Sequence, residues 1–126
     1  MPQRILIVED DNELRALLSI VLREEGFEVQ TCPDGQAALD RLAEAKQTRD
    51  FPSMVILDLS MPVVNGWDVA KWLNADPELD EIPVIVTSAT REQGEKAKAL
   101  HADAYLVKPF TTDEILGVVE LFSLLS

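Results

Sequence analysis

The sequence predicts an α/β fold, a doubly wound sheet of five parallel strands with five helices. Two observations lead to this prediction. Short apolar runs rich in Val, Ile and Leu recur along the chain, and segments with apolar residues at helical spacing separate them. Strands that alternate with helices in this way form a parallel sheet covered on both faces. Without repeats or a linker in the sequence, we expect residues 1–126 to form a single domain.

The first third of the chain supplies two strands and one helix. Residues 3–9 and 27–31 are the predicted strands. Asn12 is a candidate cap for the helix between them, which runs to Glu25 and stops at Gly26. Helical spacing predicts a buried face made of Leu14, Leu17, Leu18 and Val21, and an exposed face with Ala16 and Ile20.

The middle of the chain contains the most informative strand. A second helix opens at Asp34-Gly35, with Ala38, Leu39, Leu42 and Ala45 facing inward, and polar residues 46–50 follow it. Residues 54–58 then read MVILD, which is typical of a strand buried on both faces. Asp58 would lie at the carboxyl end of this strand, where open α/β sheets bind ligands. Taken alone, one such Asp is more often a helix cap or a loop carboxylate.

The remaining elements follow the same alternation. A third helix is predicted over 66–75, a fourth strand after Pro83, a fourth helix over 90–101 and a fifth strand over 103–107. The last helix, 111–125, begins with the capping box Thr111 to Glu114. It is apolar around most of its circumference, so one sheet can bury only part of it.

Polar residues follow several of these strands. They are Glu9 and Asp10 after the first strand, Asp58 after the third, Thr87 after the fourth and Lys108 after the fifth. Parallel strands would bring them to one edge, where oxygen ligands without nitrogen or sulfur favour Mg²⁺. Phosphoryl transfer to Asp58 needs the same parts, namely a carboxylate nucleophile, a metal, and cation or hydroxyl contacts to the phosphoryl oxygens.

Composition excludes several other classes. The formal charge of −12 repels phosphate backbones, so we expect no nucleic-acid binding by this domain alone. The single Cys32 excludes an internal disulfide, and no Cys/His cluster suggests zinc. The absence of a membrane-spanning run or a signal peptide leads us to expect no membrane association and a cytoplasmic location.

Four stretches carry a resemblance to a known family. They are ILIVEDD at 5–11, VILDLSMP at 55–62 followed by Asn65-Gly66, VIVTSA at 84–89 and YLVKPF at 105–110. In this order and at these spacings, the chain resembles the receiver domain of bacterial two-component response regulators, such as the chemotaxis regulators. The resemblance implies the flavodoxin-like strand order 2-1-3-4-5.

The resemblance also implies roles for individual residues. Asp58 would accept a phosphoryl group from a histidine kinase or a histidine phosphotransfer protein, and Thr87 and Lys108 would contact that group. Mg²⁺ would be bound by Glu9, Asp10, Asp58 and the backbone carbonyl of Ser60. The Lys108–Pro109 peptide bond would be cis. Such a protein is not an enzyme beyond its own phosphorylation and slow dephosphorylation.

Signal output would follow from a conformational change on one face of the domain. Thr87 and Tyr105 would act as the switch and shift the face formed by the fourth helix, fifth strand and fifth helix. We expect this face to contact a downstream protein or a second copy of the chain.

Three other functions fit the sequence less well. An aspartate-nucleophile phosphohydrolase needs a second Asp two residues after the nucleophile, where Ser60 stands. A flavin-binding module of similar topology would have a phosphate-binding loop after the first strand, where acidic residues stand. A degenerate receiver that only binds proteins is disfavoured because Asp10, Asp58, Thr87 and Lys108 are all retained.

Overall fold

Five parallel strands alternate with five helices, and the predicted fold class is confirmed. The computed structural model describes residues 3–61, 64–99 and 101–125. The strands lie side by side in the order β2-β1-β3-β4-β5, and every neighbouring pair is parallel. In chain order the elements are β1 (Arg4–Val8), α1 (Asn12–Glu24), β2 (Glu28–Cys32), α2 (Gly35–Thr48), β3 (Met54–Asp58), α3 (Gly66–Ala75), β4 (Val84–Ser88), α4 (Arg91–Ala99), β5 (Ala104–Val107) and α5 (Thr112–Leu125).

Both faces of the sheet are covered by apolar clusters. Ile5 and Ile7 of β1 join the cluster under α1 and α5, whereas Leu6 and Val8 join the cluster under α2, α3 and α4. Because successive strand residues point to opposite faces, a strand covered on both sides must be apolar at every position. In β3 all five residues are buried; the first four are apolar, and the last is the carboxylate of Asp58 at the end of the strand.

The buried face of α1 differs from the prediction at one position. Leu17 was expected to face the core but is 51% exposed, and Leu22 is fully buried instead. Leu18 and Leu22 are four residues apart and lie on one stripe of the helix, whereas Leu17 is turned roughly 100° away from Leu18. The exposure of Ala16 and Ile20 is confirmed.

The cap of α1 was predicted one residue too late. Asp11, not Asn12, is the cap, and its carboxylate accepts from the amides of Glu13 and Leu14. The chain after the helix turns at Gly26, which has a φ of 97°. By contrast, the capping box of α5 forms as predicted, with Thr111 and Glu114 each accepting from the other's amide at 3.1 Å.

The other bounds differ by only a few residues, and β3 and α3 have the predicted ones. β2 begins one residue later, and α2 continues through polar residues to Thr48, whose hydroxyl donates to the carbonyl of Glu44. α4 is shorter than predicted, from Arg91 to Ala99, and exposed His101 follows with a φ of 80°. Among the described residues, no helix is both long and apolar enough to cross a membrane.

Candidate functional site

The carboxyl ends of the central strands meet at one edge of the sheet. The strand register pairs Asp58 of β3 with Thr87 of β4, and Ser88 with Val107 immediately before Lys108. Glu9 directly follows β1, the strand on the other side of β3. The predicted site residues from four strands therefore stand at the same edge.

Three carboxylates lie close together at this edge. Glu9, Asp10 and Asp58 each offer one carboxylate oxygen, and these oxygens all lie within 4.8 Å of one another. Glu9 and Asp58 are only 2% exposed, whereas Asp10 is open to solvent. Like charges held this close in a buried setting favour binding of a cation.

Lys108 is the cation that the chain itself supplies. Its Nζ lies 2.9 Å from Glu9 Oε1 and 3.3 Å from Asp58 Oδ2. The second oxygen of each carboxylate accepts a backbone hydrogen bond at 3.0 Å, from the amide of Asp11 for Glu9 and from the amide of Ser60 for Asp58. The Lys108 amide donates to the carbonyl of Ser88, and the Lys108–Pro109 peptide bond is cis.

One ammonium group does not balance the two buried carboxylates. Burial raises the pKa of Glu9 to about 7, against the opposing effect of the Lys108 hydrogen bond, and burial also raises the pKa of Asp58. Burial alone would lower the pKa of Lys108, but its hydrogen bond and charge interactions with Glu9 and Asp58 raise it. The ammonium therefore stays charged, and the carboxylate cluster has a surplus of negative charge.

Two polar atoms at this edge of the sheet have no hydrogen-bond partner among the described residues. They are Oγ1 of Thr87 and Oδ2 of Asp58, and both are buried. A buried hydroxyl without a partner costs free energy, so most buried hydroxyls in folded proteins bond to another protein group, to ordered water or to a ligand. The oxygen of Asp58 that pairs with Lys108 therefore has room for a further bond, and Thr87, its partner in the strand register, has a hydroxyl that lacks an acceptor.

The loop after β3 folds back over the end of this strand. A Cβ at Gly66 would lie 2.1 Å from the carbonyl oxygen of Asp58, so only glycine fits there. Asn65 caps α3 through a capping box with Asp68. Ser60 is exposed and contacts Asp58 through its amide, and a metal contact by its carbonyl stays a prediction. Pro62 and Val63 lie outside the described residues.

Tyr105 packs on α4. Its ring occupies the space beside Gly94, where a Cβ would lie 2.3 Å from Tyr105 Cδ2, and its hydroxyl donates to Glu95 Oε1 at 3.4 Å. From the sequence, Gly94 was expected only to weaken the helix. The available signal was a lone glycine within an otherwise polar helix, and the structure shows that this glycine is buried.

Arg15 is a further residue at this edge that was not predicted from the sequence. Its guanidinium donates through Nη1 to the backbone carbonyl of Glu9 at 2.9 Å. A basic residue one turn into a helix that follows an acidic loop was the available signal.

Most of the chain matches the model of a known protein family. The family model described as "Response regulator receiver domain" matches residues 5–120. The chain belongs to the response regulator receiver domain family. The resemblance noted from the four sequence stretches is thereby confirmed, and so is the receiver's function in two-component systems, that of a phosphorylation-dependent switch.

Curated relatives of this receiver domain are transcriptional regulators. It is 38% identical over 122 residues to the phosphate regulon transcriptional regulatory protein PhoB of Rhizobium meliloti, covering 95% of this chain and 52% of that protein. It is 38% identical over 121 residues to the DNA-binding response regulator MtrA of Mycobacterium tuberculosis, covering 94% and 50%. The chain thus spans about half the length of these relatives, which are signalling proteins.

Solved structures share the fold over nearly the whole receiver domain. The chemotaxis protein CheY4 of Vibrio cholerae has a TM-score of 0.82 at 28% identity, covering 97% of this chain and 99% of that one. The response regulator TrrA of Thermotoga maritima, solved in complex with Mg²⁺ and BeF, has a TM-score of 0.79 at 32% identity, covering 95% and 98%.

Proposed function

We propose that Asp58 is the phosphoacceptor of this receiver domain, and that a histidine kinase or a histidine phosphotransfer protein is the donor. The observation that carries the proposal is the buried Oδ2 of Asp58, which lies 3.3 Å from Lys108 Nζ in an ion pair, while the neighbouring strand carries, in register with Asp58, the Thr87 hydroxyl, which has no hydrogen-bond partner among the described residues. A nucleophilic carboxylate, a cation and a hydroxyl donor are the groups that phosphoryl transfer requires.

Phosphorylation moves the phosphoryl group between two nucleophiles. Asp58 Oδ2 forms a bond to phosphorus as the bond from phosphorus to the donor's histidine nitrogen breaks, and the imidazole keeps the electron pair. The new phosphoryl oxygens then offer an acceptor to the Thr87 hydroxyl and a negative partner to Lys108 Nζ. Lys108 would shift from the carboxylate of Asp58 toward the phosphoryl group, and Thr87 would gain the hydrogen bond that it lacks.

The carboxylate cluster fits Mg²⁺. Its donors are a few hard oxygen atoms, and the cluster is open to solvent at Asp10. Such a site suits Mg²⁺, because this ion keeps several waters and takes only one or two carboxylates. Asp10 and Asp58 would hold it with Glu9 close by, and the Ser60 carbonyl completes the predicted set. When bound, Mg²⁺ neutralises charge between the carboxylate nucleophile and the incoming phosphoryl group. The complex of the similar TrrA with Mg²⁺ and BeF supports this assignment.

Partner contacts are proposed for two exposed apolar surfaces. Leu17 and Ile20 of α1, both more than half exposed, would dock the phosphodonor protein. The output face is α4, β5 and α5, with Thr87 and Tyr105 as the switch. At the end of α5, Leu121, Leu124 and Leu125 are 54%, 84% and 72% exposed, so an apolar contact with a second copy or a neighbouring domain is expected.

The domain's own charge and size complete the proposal. The net charge of −12 repels phosphate backbones, so we expect no nucleic-acid binding by this domain alone, although MtrA is named a DNA-binding regulator. We place residues 1–126 in one receiver unit that works in the cytoplasm. Its chemistry is limited to its own phosphorylation and slow dephosphorylation.

Intact-mass measurement after incubation with acetyl phosphate tests the phosphoacceptor. Wild type should gain the mass of one phosphoryl group with Mg²⁺ and none with EDTA, while Asp58→Asn should gain none. Asp113→Asn, which removes an exposed carboxylate at the start of α5, is the matched control and should behave like wild type. If Asp58→Asn is still phosphorylated, the assignment is wrong, and if wild type stays unmodified, the chain is a binding module only.

A further inference from the structure

We infer that Arg15 is a positioning residue that holds Asp10 in place for the divalent cation. The inference rests on the proposed function, because it concerns how the carboxylate cluster is prepared for Mg²⁺. It starts from one contact, the hydrogen bond from Arg15 Nη1 to the backbone carbonyl of Glu9 at 2.9 Å.

This carbonyl belongs to the peptide unit that joins Glu9 to Asp10. Arg15 is half-buried in the first turns of α1, and its other terminal nitrogen donates to Oδ1 of Asn12. The guanidinium thereby ties the end of β1 to the start of α1, and its planar fork makes both hydrogen bonds in a fixed geometry. Rotation of the Glu9–Asp10 peptide would break the first of these bonds.

Asp10 depends on this backbone contact more than its neighbours do. Glu9 and Asp58 are each held by a backbone amide and by Lys108. The Asp10 carboxylate is exposed and, among the described residues, accepts from no backbone amide and pairs with no cation. One of its oxygens lies within 4.8 Å of a carboxylate oxygen of Glu9 and of Asp58, which carry charge of the same sign. The position of its side chain therefore follows from the position of its backbone.

Two effects of Arg15 on Mg²⁺ binding have opposite signs. As a positive charge near the cluster, Arg15 repels the metal, and its removal would tighten binding by a few-fold at most for a partly exposed group. As a support for a ligand, its removal would weaken binding by roughly 10- to 100-fold, as is typical of groups that orient metal ligands. The larger effect decides the sign, so we expect weaker binding.

Calorimetric titration of Mg²⁺ into the metal-free protein tests this inference. Arg15→Gln should bind Mg²⁺ about 10-fold more weakly than wild type. Arg15→Lys, which keeps the charge and a single donor, should recover part of the loss. Arg23→Gln is the matched control, because Arg23 lies on the same helix and also donates to a backbone carbonyl, that of Val29 at 3.3 Å. It should bind Mg²⁺ like wild type or slightly more tightly.

A second measurement needs no metal. In ¹⁵N-labelled metal-free protein, Arg15→Gln should shift the amide resonance of Asp10 and speed its hydrogen exchange, and Arg23→Gln should leave both unchanged. If Arg15→Gln binds Mg²⁺ as tightly as Arg23→Gln does, the inference is overturned while the proposed function stands. If wild type binds no Mg²⁺, the proposed function fails and the inference fails with it. Should Arg15→Gln not fold, Arg15→Lys takes its place in both measurements, and a wild-type Mg²⁺ affinity together with an unshifted Asp10 amide resonance in that variant would overturn the inference.

Discussion

Replacing Gly94 with alanine tests how α4 is attached to β5. In a helix interior this change normally stabilises by about 1 kcal/mol. Here the new Cβ would lie 2.3 Å from Cδ2 and 2.6 Å from Cγ of Tyr105, well inside van der Waals contact, so the ring must move. Overpacking of this kind costs about 1–3 kcal/mol. The clash therefore outweighs the helix gain, and the free energy of unfolding should fall by about 1 kcal/mol.

A double-mutant cycle measured by urea unfolding separates the two contributions. In the Tyr105→Ala background the clash is absent, so Gly94→Ala should stabilise by about 1 kcal/mol, with a sign opposite to that in wild type. Gly117→Ala is the control, because a Cβ at that position of α5 has nothing within 4 Å and should stabilise in both backgrounds. If Gly94→Ala has the same sign in both backgrounds, the ring does not hold α4 in the way described.

Four further predictions concern titration and contacts. Because the pKa of Glu9 is raised to about 7 from 4.5, the metal-free protein should lose stability, on the order of 1–3 kcal/mol, as pH rises between these values, and Glu9→Gln should flatten the unfolding profile. Protons and metal compete for these carboxylates, so calorimetry should show Mg²⁺ affinity falling as pH drops below 7. Ile20→Glu should slow phosphotransfer from a histidine-phosphorylated protein but not from acetyl phosphate, and equal slowing with both donors would reject a docking role for α1. Replacing Leu124 and Leu125 with serine should abolish any self-association seen by sedimentation, and a dimer that persists would place the contact elsewhere.

The strands were predictable because their burial leaves a simple pattern. A strand covered on both faces is apolar along its length, so the run MVIL at 54–57 indicates a central strand of the sheet. Asp58 follows this run directly and therefore lies at the carboxyl end of the strand. Parallel strands then place Glu9, Thr87 and Lys108 at the same edge as Asp58. These features follow from the order of residues along the chain.

Features that depend on exact rotation or on long-range packing were not predictable. Leu17 and Leu22 are both leucines at helical spacing from other residues of the buried face. The rotation of α1 about its axis decides which of the two is buried, and the sequence does not show this rotation. Similarly, Asp11 and Asn12 are both good caps, and the choice depends on which side chain reaches the first free amides. The contact of Tyr105 with Gly94 joins β5 to α4, and the residues of these two elements do not show by themselves how closely the elements pack.

The most direct test of the proposed site is a crystal structure of the chain with Mg²⁺ and beryllium fluoride, a mimic of the phosphoryl group. We predict beryllium bonded to Asp58, fluorine atoms within hydrogen-bond distance of the Thr87 hydroxyl and Lys108 Nζ, and Mg²⁺ held by Asp10 and Asp58. Beryllium fluoride bonded to a different carboxylate, or Mg²⁺ bound away from the Glu9–Asp10–Asp58 cluster, would contradict the assignment.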